Sequence, residues 1–258
     1  MYFDSHAHYD DKAYDKDRAD VLGKLPEQGV SGIINAASSV ESLPLVLGLA
    51  REYSFIYCAL GIHPCETAHL TEEILVEIKN HSLKRDETKV VAIGEVGLDY
   101  HWKKPAKEVQ QSWFARQIEL AKAVKLPVIV HSRDAAQNTL AIMQECDASA
   151  IGGVMHCFAY SVEMAHAFIA MNFHIGIGGV ATFANAVKVK EVIAAIPLES
   201  ILLETDCPYL APMPYRGKRN SSAYLSYIVD AIAAIKGISH EEVATQTTAN
   251  VKRLFAIK

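Results

Sequence analysis

The sequence predicts an α/β fold, a TIM-type (β/α)8 barrel, with residues 1–258 forming one domain. Three observations predict it. Eight short β-rich runs alternate with longer amphipathic or alanine-rich runs. The clearest short runs are apolar throughout rather than alternating, as in parallel strands covered on both faces. No Pro/Ser-rich linker, low-complexity segment or composition break divides the chain. Eight strand–helix units in about 250 residues suit a barrel, whereas a doubly wound open sheet commonly uses fewer strands.

Strands are expected near Met1–Asp4, Gly32–Ala36, Phe55–Gly61, Val90–Gly94, Pro127–His131, Ile151–His156, Phe173–Ile177 and Ser200–Glu204. Val90–Gly94 and Pro127–Val130 are the continuous apolar runs, so helices should cover them. One such helix opens at Pro105, carries Val109, Trp113, Leu120 and Val124 on one face, and ends before Pro127. Ser38-Ser39-Val40-Glu41 and Ser239-His240-Glu241-Glu242 both fit a capping box, which places helix starts near residues 39 and 240.

Half of the residues are hydrophobic, enough for a sizeable core. The net charge of −5 excludes a strongly basic nucleic-acid clamp but leaves room for a local basic edge. Five cysteines, with no C-x-x-C pair, argue against a disulfide framework and a thiolate zinc site. The first residues carry no basic leader and no apolar stretch reaches spanning length, so the expected location is cytoplasmic, with no membrane association. No protein partner is indicated. A nucleotide-binding G-x-G-x-x-G or P-loop is absent after the first strand.

His6-Ala7-His8 lies at the end of the first expected strand, where residues two apart share a face and both imidazoles can reach one ion. Alone, this H-x-H fits a solvated turn equally well. Three further runs end in metal-competent residues: Val90–Gly94 leads into Glu95, Pro127–Val130 into His131 and Gly152–Met155 into His156. Ser200–Glu204 is followed by Thr205 and Asp206. In a barrel these ends converge on one rim, where active sites are built. Four imidazoles and two carboxylates suit zinc, manganese and related ions, and carboxylates with water also allow magnesium. Six ligands exceed the needs of one open catalytic site. Glu95 is the candidate to bridge two ions about 3.5–4 Å apart.

The sequence resembles the TatD-type deoxyribonucleases, within the amidohydrolase-like metal hydrolases. The resemblance covers almost the whole chain. It rests on Tyr2-Phe3-Asp4-Ser5-His6-Ala7-His8, Gly61-Ile62-His63-Pro64, Gly94-Glu95-Val96-Gly97-Leu98-Asp99-Tyr100, Pro127–Asp134, His156-Cys157-Phe158 and Leu203–Pro212. The resemblance implies that His6, His8 and Asp206 hold one ion, His131 and His156 the other, and that Glu95 bridges them. It also implies hydrolysis of DNA phosphodiester bonds, often as a 3′-to-5′ exonuclease, with His63 contacting the substrate phosphate. The expected cofactors are thus two divalent ions (Mg, Mn or Zn), the partner is a DNA substrate, and Asp206 and Glu95 are the catalytic carboxylates.

Further substrate contacts are expected from Arg133, two positions after His131, and from the Pro-rich loop after Asp206. There Arg216, Lys218 and Arg219 could meet backbone phosphates while Tyr209 or Tyr215 stacks on a base. Each of these also fits a solvated loop. His101-Trp102-Lys103-Lys104-Pro105 departs from the family strings, so neither Trp102 nor Lys103 receives a role. The other histidines read as surface or core residues, and Cys157 and Cys207 as packing. Two rival readings keep the scaffold: a hydrolase of a cyclic amide, lactone or small phosphoester, and a binding protein that retains its ligands without turnover.

Overall fold

The computed structural model describes residues 1–102 and 104–258; Lys103 lies outside them. Eight parallel strands form one sheet in sequence order: β1 (Tyr2–Ala7), β2 (Val30–Ala36), β3 (Ile56–Leu60), β4 (Val90–Asp99), β5 (Val128–Arg133), β6 (Gly153–Met155), β7 (Phe173–Ile177) and β8 (Ile201–Leu203). All eight lie where the apolar runs predicted them. A parallel bridge between Ala7 and Cys207 draws the last strand's loop onto the first strand, making a nearly closed barrel. Asp206 N–H donates to His6 O (3.0 Å) and His8 N–H to Cys207 O (2.8 Å), so closure runs through the backbone of three of the expected ligands.

The helices are α1 (Arg18–Lys24), α2 (Ser42–Glu52), α3 (Glu72–Leu83), α4 (Arg85–Thr88), α5 (Lys107–Val124), α6 (Ala136–Glu145), α7 (Val162–Ala170), α8 (Val187–Ala195), α9 (Leu225–Lys236) and α10 (His240–Leu254). Alternate residues of the strands point to opposite sides. Ile33, Cys58, Leu60, Val128, Val130, Ile175 and Leu203 meet the helices, while Phe3, Ile34, Ala59, Ile129, Val154 and Leu202 fill the interior. Val251, Phe255 and Ile257 from the end of the chain join that interior cluster. No described helix is long and apolar enough to cross a membrane.

Three local expectations need correction. The apolar face of α5 is turned: Phe114, Ile118 and Ala121 are buried with Leu120 and Val124, whereas Val109 is exposed. Two polar residues displaced the expected stripe. Gln110 exchanges hydrogen bonds with the backbone of Asp99 (2.8 and 2.9 Å), and Gln117 with that of Ile62 (2.8 and 3.1 Å), so both glutamines are buried as caps of strand ends. Helix α2 begins at Ser42 rather than 39, because Ser42 Oγ accepts from Ser38 and Ser39 N–H (2.9 and 3.0 Å) and holds that stretch as a turn. The helix start at α10 is as expected, with Ser239 Oγ accepting from Glu242 N–H at 3.1 Å. Finally, β4 continues to Asp99, pairing Gly97 with His131 and Asp99 with Arg133.

Candidate metal centre

The longer β4 changes where Glu95 sits. It lies inside the strand, in the stretch between Ile93 and Val96 where the register with β5 shifts. Such irregularities re-aim a side chain that regular pleating would direct elsewhere. His6 occupies a similar shift between Asp4 and Ala7. His131 is also within its strand, while His156 follows β6 directly and Asp206 lies three residues beyond β8. Gly97, at φ +143°, lets β5 approach: a Cβ there would lie 1.9 Å from His131 O.

The six residues converge. Glu95 Oε2 lies 3.3 Å from His6 Nε2 and 3.5 Å from His8 Nε2. Glu95 Oε1 lies 2.9 Å from His131 Nδ1 and 3.8 Å from both His156 Nε2 and His63 Nε2. Asp206 Oδ1 stands 3.5 Å from His8, 3.6 Å from His156 and 3.8 Å from His6. Three triads could each hold an ion, with ligand atoms within 4.8 Å of one another: His6–His8–Glu95, His6–His156–Asp206 and His63–Glu95–His131. Asp206 therefore faces His156 as closely as His8, and His63 joins the group around Glu95 and His131.

The surrounding acceptors decide which nitrogen is bare. Ala36 O can only accept, so His8 carries its proton on Nδ1 (2.9 Å) and turns an Nε2 lone pair inward. His131 stands between two carboxylates, Nε2 3.1 Å from Asp99 Oδ2 and Nδ1 2.9 Å from Glu95 Oε1, so a cation on Glu95 would take the Nδ1 lone pair and leave the proton on Nε2 for Asp99. Glu204 Oε2 stands 3.1 Å from His156 Nδ1, although off the line of a good hydrogen bond. A bare nitrogen and carboxylate oxygens thus face one another, an arrangement that a cation relieves.

The carboxylates and imidazoles of the cluster also shift one another's protonation. Burial opposes charge on Glu95, yet the neighbouring His6, His156 and His131 imidazoles hold its carboxyl well below the usual range. Burial likewise opposes charge on Asp206, and His156 and His8 outweigh it. His156, despite burial, is raised to about 9 by Glu204, Glu95 and Asp206. Burial pushes His63 down to about 4. The cluster opens into a cleft of about 240 Å³ lined also by Asp10, Asp11, Ser38, His63 and Tyr209.

The family model for TatD related DNase matches residues 3–256 of this sequence. The chain belongs to the TatD family. It is similar over its full length to the uncharacterized metal-dependent hydrolase YabD of Bacillus subtilis, at 45% identity over 100% of both chains. The 3′-5′ ssDNA/RNA exonuclease TatD of Shigella flexneri is 32% identical over 99% of each. The crystal structure of YjjV, a TatD homologue from Escherichia coli K12, superposes with a TM-score of 0.92 at 33% identity, covering 100% of this chain and 98% of that one. As a TatD-family member, this protein is a metal-dependent hydrolase.

The expected substrate contacts of this TatD-family chain are more dispersed. His63 and Tyr209 line the cleft, with Tyr209 O–H donating to Asp11 Oδ2 at 2.8 Å. Arg133 and Arg216 lie outside it, their guanidinium carbons 5.9 Å from the Trp102 ring and 4.4 Å from the Phe183 ring. Lys218 stands 5.9 Å over Tyr215, whose own ring stacks on Tyr224 at 4.2 Å and is not presented for stacking. Arg219 is not a free cation: it donates to both Asp17 oxygens (2.7 and 2.6 Å) and covers Tyr14. All five cysteines are free, and Cys207 is buried.

Sequence reasoning missed Asp99, Glu204 and Asp4. Asp99 and Glu204 back His131 and His156, and both stand an even number of residues from a ligand, at Glu95 and Asp206 respectively. That spacing alone does not find them, because a register shift at Glu95 and the end of β8 at Leu203 break the alternation. Gly176 leaves the space for Glu204, since a Cβ there would fall 2.3 Å from Oε2. Asp4 works at the barrel seam, accepting from Thr205 N–H (3.0 Å), Thr205 Oγ1 (2.6 Å) and Ser222 Oγ (2.6 Å); burial pushes it up to about 7.

Proposed function

We propose that this protein, as one catalytic domain over residues 1–258, hydrolyses DNA phosphodiester bonds as a two-metal 3′-to-5′ exodeoxyribonuclease. The observation that carries the reading is Glu95, whose two oxygens address different imidazoles, His6 and His8 on one side and His131 and His156 on the other. His6, His8 and Asp206 would hold one divalent ion, His131 and His156 the second, with Glu95 between them. Magnesium, manganese or zinc there would supply an activated water and charge neutralisation at the phosphate. The inward lone pair of His8 and the Nδ1 of His131 beside Glu95 fit that role.

The chain's own groups do the rest. Asp206, with the most accessible carboxylate of the cluster, accepts the proton of the attacking water. His63 Nδ1 accepts from Cys65 N–H at 3.2 Å, and burial keeps the ring neutral, so its proton sits on Nε2. That N–H faces the cleft and donates to a phosphate oxygen. As water's oxygen bonds to phosphorus, the ester bond to the leaving sugar oxygen breaks. Tyr209, Arg133, Arg216 and Lys218 contact the flanking strand. The 3′-5′ ssDNA/RNA exonuclease activity for which the Shigella flexneri relative is named supports DNA as substrate and the 3′ end as starting point. Five free thiols support a reducing, cytoplasmic location.

The test uses protein stripped with chelator, resupplied separately with magnesium, manganese or zinc, and given 5′-end-labelled single-stranded DNA. The expected result is a ladder shortening from the 3′ end, lost in Glu95→Gln. No cleavage with any ion, alongside turnover of a dihydropyrimidine or lactone, would replace this reading by the amidohydrolase one.

A further inference from the structure

We propose that Trp102, backed by Arg133, is a base-stacking platform at the lip of the cleft that receives an unpaired nucleobase next to the scissile phosphate. This rests on the nuclease reading and names a contact that reading does not contain. Trp102 follows β4 and is 65% exposed, a large apolar surface left in water on the catalytic rim. Its backbone is tethered. Trp102 N–H and His101 N–H both donate to Asp99 Oδ1 (3.2 and 2.9 Å), and the other oxygen of that carboxylate accepts from His131. The turn that displays the indole is therefore fixed to the group that orients a residue of the metal cluster.

Arg133 supplies the second half. It stands two residues after His131 on β5, so it shares that side of the strand, and its guanidinium carbon is 5.9 Å from the indole centroid. Asp134, the adjacent carboxylate, lies 3.6 Å from His101 instead, and among the described residues no carboxylate forms an ion pair with Arg133. An aromatic face beside an unpaired guanidinium matches a nucleobase and its phosphate, and stacking tolerates any sequence because every base has a π-face. Neither residue lines the cleft itself, so the platform suits the neighbouring nucleotide rather than the one being cleaved. In a duplex the base faces are covered by stacking, so the occupant is single-stranded.

The test measures steady-state cleavage of single-stranded oligonucleotides by wild type, Trp102→Ala and Trp102→Phe, with abasic residues stepped through the first four positions from the 3′ end. Trp102→Ala should raise KM about tenfold with kcat little changed, and Trp102→Phe should recover most of the loss. At one abasic position the wild type should lose the same factor while Trp102→Ala loses nothing further, because the two changes remove one contact. Trp102 and Trp113 are the two tryptophans, so quenching of indole fluorescence by a cleavage-resistant phosphorothioate strand should also disappear in Trp102→Ala. Unchanged KM in an active Trp102→Ala protein overturns the proposal. So does an equal loss on every abasic substrate, which marks a merely structural residue. If the wild type cleaves no DNA with any ion, the nuclease reading falls and this inference with it.

Discussion

Asp99→Asn separates the orientation of a ligand from its presence. Asp99 Oδ1 accepts two backbone N–H groups, from His101 at 2.9 Å and Trp102 at 3.2 Å, while Oδ2 faces His131 Nε2 at 3.1 Å. An asparagine must keep its oxygen on the two donors, because an NH2 there would face N–H groups with nothing to accept its protons. The NH2 is then forced toward His131, which must accept through Nε2 and move its own proton to Nδ1. That proton points at Glu95 Oε1, 2.9 Å away, and removes the inward lone pair. Loss of such an orienting partner typically costs 10–100-fold in metal affinity or activity, roughly 1.4–2.8 kcal/mol. The assay titrates chelator-stripped protein with manganese, following both bound metal and DNA cleavage. Metal affinity should fall by that factor with the fold intact by circular dichroism. Wild-type affinity and turnover in Asp99→Asn would refute the tautomer argument.

Three further outcomes follow from other parts of the molecule. Arg216→Ala with Lys218→Ala should lower the salt slope of single-stranded DNA binding by about 1.4, from two lost phosphate contacts at ~0.7 each, while turnover of a small phosphodiester stays unchanged; Arg219→Ala should leave that slope intact because Arg219 is held by Asp17. Gly97→Ala places a Cβ 1.9 Å from His131 O, so β5 must retreat and hydrolysis should drop at least tenfold, read as kcat at saturating metal. Burial and the nearby Arg253 lower the pKa of His174 below its ordinary 6.5, so the unfolded chain binds the extra proton. Its contribution is then constant above pH 6.5 and lost as pH falls below it, and His174→Gln should flatten that limb of a urea-midpoint profile against pH.

The strands were legible because each is a compact apolar run, and the ligands because histidine and carboxylate side chains recur where those runs end. Less legible were features decided by residues distant in sequence. Nothing near Gln117 announces that it would cap the backbone of Ile62, and its burial turns α5 away from the apolar stripe. Gly97 and Asp99 read as the start of a loop, yet β5 keeps pairing with them and carries the strand past Glu95. Arg219 looked equivalent to Arg216 and Lys218 until Asp17, on the other side of the barrel seam, claimed it. Asp99 and Glu204 were hidden for a related reason: an orienting carboxylate is recognised by the imidazole it touches, which the sequence alone does not place.

The central claim is that Glu95 stands between two ions, and anomalous diffraction from crystals soaked in manganese tests it most directly. The account predicts two peaks about 3.5–4 Å apart, one on each side of the Glu95 carboxylate. The first should touch His6 and His8, and the second His131 and His156. A single peak, or a pair that leaves Glu95 outside, would contradict it.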